Sequence, residues 1–113
     1  MMKVIKESHG ATVVLTLKGE FDTFVTAPFS DEVQKVFDSG CHAIVLNMRL
    51  VKFVNSTALG AMIRARKSCK AEGGDLVVSQ PSNAAREAME ALGLDKLFSI
   101  HDDDAGAISS LGA

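Results

Sequence analysis

Apolar residues recur along this chain at two spacings, and the order in which the spacings alternate limits the folds open to it. MKVIKES (2–8) and TVVLTLKG (12–19) come first, with Val13, Leu15 and Leu17 on one face at period two, the signature of a strand. His9 and Gly10 lie between them as a turn, so an opening hairpin is predicted. TAPFSDEVQKVFDSG (26–40) then changes to helical spacing, with Phe29, Val33, Val36 and Phe37 on one side. Pro28 falls in the first turn, where its missing N–H does no harm, and Gly40 supplies the left-handed stop. HAIVLNM (42–48) is short and almost wholly apolar, as expected of a strand covered on both faces.

The pattern then repeats. A helix is predicted over 55–72 with Leu59, Met62, Ile63 and Arg66 on one side, followed by a turn and buried strand in GGDLVVSQ (73–80). PSNAAREAMEALG (81–93) predicts a third helix, with Ser82 as N-cap, Ala85, Met89 and Leu92 as inner stripe and Gly93 as stop. KLFSI (96–100) is expected as a last short strand. DDDAGAISSLGA (102–113) is expected as a closing helix with Ala105, Ile108 and Leu111 on one face. Alternating strands and helices need crossover connections and a partly parallel sheet. The expectation is an α/β fold: a mixed five-stranded sheet opened by an antiparallel hairpin, with about four helices, in one domain over 1–113.

Composition narrows the function. With 113 residues, 47% apolar, the chain can bury a real core. A net charge of −2 suggests neither a nucleic-acid partner nor an acidic membrane. Trp and Tyr are absent and the six Phe sit where a core would want them, which argues against a base-stacking surface. Cys41 and Cys69 form no Cys-x-x-Cys pair and read as reduced thiols. MMKVIKESHG lacks the apolar core of a signal peptide, and no apolar run approaches the ~20 residues of a membrane span, so a soluble cytoplasmic protein is expected.

No phosphate loop, dinucleotide fingerprint or nucleophile elbow is present. His9, His42 and His101 are scattered without zinc-ligand spacing. In HDDD (101–104), one aspartate is expected to cap the last helix while the others sit on its positive end. Arg64, Arg66, Lys67 and Lys70 form either a solvated helix face or a docking face for an acidic protein.

FVNSTALGAM (53–62) places three small polar residues where one would cap a helix. Asn55 alone suffices as cap, worth about 1 kcal/mol over Ala. That leaves the hydroxyls of Ser56 and Thr57 in the first turn. A phosphate on Ser56 would meet free backbone N–H groups and the positive end of the helix dipole, so this local structure accepts one with little strain.

LNMRLVKFVNSTALGAMIRARKSCKAEGGDLVV (46–78) resembles the central motif of STAS domains, and of bacterial anti-sigma-factor antagonists in particular: apolar strand, Asp-Ser-Ser/Thr-Gly-Leu-Gly, basic helix, Gly-Gly, apolar strand. GEFD (19–22) and GLDKLF (93–98) match further family segments in the same order. The resemblance implies a non-enzymatic switch without a cofactor. The unmodified protein would bind an anti-sigma factor that is also a serine kinase; phosphorylation at Ser56, with Thr57 as the adjacent candidate, would release it. A PP2C-type phosphatase would restore binding. The implied contact residues are Asp22, Thr23, Phe24, Asn55, Ser56, Thr57, Ala58 and Leu59, with no nucleic acid or membrane involved and a monomer when free. Asn55 stands where the family has Asp, and Ala58 where it has Gly. The first removes a charge beside Ser56 and the second one methyl group's worth of clearance, and together they motivate an alternative: a STAS scaffold subunit that binds without switching.

Overall fold

In the computed structural model, which describes residues 2–112, five strands form one sheet in the order β1-β2-β3-β4-β5. β1 (Met2–His9) and β2 (Thr12–Phe21) make the antiparallel hairpin, turned at Gly10 with φ of 62°. β3 (Ala43–Val54), β4 (Asp75–Ser79) and β5 (Ile100–His101) follow in parallel. α1 (Thr26–Asp38), α2 (Ser56–Ala71) and α3 (Asn83–Ala91) are the crossovers, and α4 (Asp104–Ser110) closes the chain. Mixed sheet, hairpin and four helices agree with the sequence expectation.

Because strands β2 to β5 lie side by side in chain order, right-handed crossovers place α1, α2 and α3 on the same face. The main core forms there, from Leu15, Leu17 and Phe21 of β2, Phe29 of α1, Met62 of α2 and Met89 of α3, among others. The opposite face is left to α4 alone, whose Ala107, Ile108 and Leu111 pack on Val14, Val45 and Val77.

Four expectations are corrected. β3 does not end at Met48 but runs to Val54. Two register shifts against β2 let it bend, so that Met48, Val51 and Val54 are buried at spacing three rather than two. KLFSI is no strand: its Phe98 N–H donates to the Leu94 carbonyl at 3.1 Å in a run of turns, and only Ile100 and His101 pair with β4. Leu92 is 56% exposed, because α3 has already ended at Ala91. In the closing helix, which Asp103 caps and Asp104 begins, Ala105 is exposed and Ala107 takes the buried place against Val14, Val45 and Val77. The last residue expected in that helix, Ala113, lies outside the described residues.

Local signals held where they depend on near neighbours. Ser82 caps α3, accepting from Ala85 N–H at 3.1 Å, and its hydroxyl donates to the Val51 carbonyl at 2.7 Å. Gly40 takes φ of 91° after α1. At Gly74 a Cβ would overlap the His42 carbonyl, so the turn between α2 and β4 admits only glycine at that point. Cys41 and Cys69 are both free.

Candidate docking site at the start of helix α2

The end of β2 and the end of β3 lie side by side, with Phe21 opposite Val54, so the residues after each strand emerge together. After β2, the Asp22 carboxylate accepts the Phe24 N–H at 3.0 Å and starts a 3-10 turn over Thr23–Val25. After β3, the Asn55 side-chain oxygen accepts the Ala58 N–H at 2.9 Å and starts α2. The two starts are tied. The Asn55 amide NH2 donates to the Thr23 hydroxyl at 3.1 Å, and the Asn55 backbone N–H donates to the Phe21 carbonyl at 3.2 Å. One asparagine side chain thus uses both ends, accepting within its own helix and donating to the neighbouring turn.

Ser56 and Thr57 are the first two residues of α2 and both are exposed. Asn55 takes the Ala58 N–H of this turn, and the Ser56 and Thr57 backbone N–H groups have no acceptor within the helix. Phe24 is 89% exposed beside them, an unusual position for a large aromatic side chain. Asp22 is half-buried and Thr23 exposed. Six of the eight expected contact residues therefore share one surface. Ala58 and Leu59 do not: they are 0% and 1% exposed and face the core, because helical spacing turns the third and fourth residues of α2 inward. They shape the site from beneath.

Met2 and Pro28, contributors that sequence alone did not single out, join Val25 of the segment between Phe24 and Ala27 that the sequence did point to. With Asp22 and Phe24 they line a cleft of about 420 Å³. Met2 reaches it because β1 pairs with β2 so that Met2 stands opposite Gly19. Nothing local to Met2 signals that placement.

The basic residues of α2 are partly neutralised. Arg66 donates to the Asp75 carboxylate at 3.1 Å, and Lys70 lies 3.9 Å from the same group. Among the described residues no group of three His, Cys, Asp or Glu side chains could hold a metal ion. Nor, among the described residues, is any helix long and apolar enough to cross a membrane.

A mixed sheet opened by a hairpin, with its crossover helices on one face, is the fold this chain shares with solved anti-sigma factor antagonists. The STAS domain family model matches residues 3–107, and the chain belongs to that family. The anti-sigma F factor antagonist of Paenibacillus polymyxa is 25% identical over 115 residues, covering 97% of this chain and 95% of that protein. A solved anti-sigma factor antagonist from Mycobacterium paratuberculosis shares the fold with a TM-score of 0.87 at 20% identity, covering 100% of this chain and 96% of its own. The phosphorylated form of the Bacillus cell fate determinant SpoIIAA shares it with a TM-score of 0.74 at 21% identity, covering 96% and 98%.

Proposed function

We propose that this chain is a single STAS domain acting in the cytoplasm as an anti-sigma factor antagonist that switches partners through phosphorylation of Ser56. Unmodified, it binds an anti-sigma factor with serine kinase activity through Asp22, Thr23, Phe24, Asn55, Ser56 and Thr57. The kinase transfers a phosphoryl group to the Ser56 hydroxyl, and a PP2C-type phosphatase removes it. The protein catalyses nothing itself and is a monomer when free.

The observation that carries this is the exposure of Ser56 at the first position of α2, next to the protruding Phe24. Phosphorylation adds about −1.5 to −2 charges at that point. The helix dipole and the backbone N–H groups of the first turn that Asn55 does not use hold the phosphate on this protein. A partner that covers the same point must bury the dianion, at a cost its contacts cannot offset.

The test is incubation with the cognate kinase and Mg-ATP, followed by peptide mass spectrometry. The expected result is about 80 Da added at Ser56, with loss of the complex. An intact complex with no modification would overturn the switch.

Asn55 favours a second possibility. Its amide carries no charge, whereas the family motif places a carboxylate there, so a kinase that reads the carboxylate would leave Ser56 untouched. The chain would then be a constitutive STAS binding subunit. Ser56→Asp separates the two: binding is lost in a switch and kept in a scaffold.

A further inference from the structure

The outer face of the sheet is only partly covered. α4 has seven residues, about 10 Å of helix, while five strands span about 24 Å. It covers Val14, Val45 and Val77 and leaves the hairpin side bare. The register identifies what is exposed there. Residues directly opposite each other share a face, so Ile5 lies with Thr16, Lys3 with Lys18 and Leu50, and Phe53 with Glu20. Ile5 is 44%, Leu50 37% and Phe53 49% exposed. A shallow cavity of about 370 Å³ lies at one end of this region, lined by Met2, Lys3, Lys18, Gly19, Glu20 and Lys52, with Leu50 opposite Lys18 and Phe53 opposite Glu20 in the register.

The charge of the cavity lining is one-sided, the other carboxylate of this face, Glu7, lying beyond Ile5 toward the hairpin turn. Three lysines meet a single glutamate, on a chain whose net charge is −2. Lys3 and Lys18 are directly opposite across the hairpin, an arrangement that destabilises a sheet. Lysine on an edge strand is a common guard against strand addition, and that accounts for Lys3. It does not account for Lys18, because β2 is paired on both sides. The molecule keeps a repulsive pair in a place where fold protection does not require it, beside exposed apolar side chains.

We propose that the outer face of β1, β2 and β3 is a second docking surface, occupied by an acidic segment of the partner protein whose apolar side chains lie on Ile5, Leu50 and Phe53 while its carboxylates meet Lys3, Lys18 and Lys52. Met2 lines both this cavity and the cleft beside Phe24, so the two surfaces adjoin. The proposal rests on the proposed function only for who supplies the segment. The phosphate at Ser56 governs one surface, and the lysine face stays attractive in either state.

The experiment titrates the isotope-labelled protein with a synthetic peptide of repeated Glu-Glu-Leu triplets and follows amide shifts by NMR. Saturable shifts at Lys3, Ile5, Lys18, Leu50, Lys52 and Phe53 are expected, with affinity falling roughly tenfold between low and physiological salt. Lys18→Glu should abolish those shifts and, by replacing a like-charge pair with an attractive one, raise the thermal midpoint by about 2 °C. Ser56→Asp should leave peptide affinity unchanged, so a failed kinase assay at Ser56 does not touch this result. Shifts centred on Arg64 and Lys67 instead, equal binding of a Lys-Lys-Leu peptide, or uptake by phosphatidylserine vesicles without peptide binding would each overturn the proposal. So would loss of stability in Lys18→Glu.

Discussion

Single side chains of this protein carry more than one task, and Asn55 is the clearest instance. It caps α2 and holds the Thr23 turn with the two ends of one amide. Asn55→Ala removes both bonds and should cost about 1–2 kcal/mol by chemical denaturation, while Asn55→Asp keeps the cap and should cost under about 0.5 kcal/mol. Cys69 gives a second prediction at this scale. It lies fully buried on the inner face of α2, and burial first, then the charges of Asp75 and Cys41, push its thiol from an ordinary 9.0 up to about 12. The folded state therefore holds this proton more tightly than the unfolded chain does. Stability from the thiol is complete below about pH 9 and is lost as pH rises toward about 12, with a slope approaching about 1.4 kcal/mol per pH unit. Denaturation curves above pH 9 should show that slope in the wild type and lack it in Cys69→Ala.

Among the elements, α4 is the one whose attachment could not be read locally. HDDD announced a cap, and Asp103 is that cap, accepting the Gly106 N–H at 2.7 Å. Asp104 does something else. Its carboxylate accepts from the Ser79 hydroxyl at 2.7 Å and from the Asn47 amide at 2.9 Å, and the same Asn47 amide donates to Gln80 at 2.8 Å. Asn47 and Ser79 are wholly buried. Gln80 adopts φ of 48°, a left-handed conformation that costs energy outside glycine and is held by this network and by its N–H bond to the His101 carbonyl. Asp104→Ala would strand two buried polar groups and should destabilise the fold by about 2–4 kcal/mol, seen as a lower denaturant midpoint; Asp104→Asn should cost less because it keeps an acceptor. Capping was legible because it joins residues three apart. The clasp was not, because its partners lie 25 and 57 positions away.

For the molecule as a whole, the fold and the surface that would switch are separable. Ser56 touches no core residue through its exposed hydroxyl, and an added negative charge there sits on the favourable end of α2. Ser56→Asp should therefore leave the thermal midpoint within about 3 °C of the wild type while it removes partner binding in a pull-down. A large drop in midpoint would mean that the phosphate acts by disrupting the fold rather than by excluding a partner. Sequence alone determined the succession of elements, three of the four helix starts and the exposed pair Ser56 and Thr57, since periodicity and capping depend on residues within one or two turns of each other. Only the tertiary structure decided that Ala58 and Leu59 face inward, that β3 continues past Met48, that Asp104 anchors a helix, and that Lys3, Lys18 and Lys52 gather on one face. Each of those depends on strand register and on which face a crossover covers, and both are set by pairing between segments far apart in the chain.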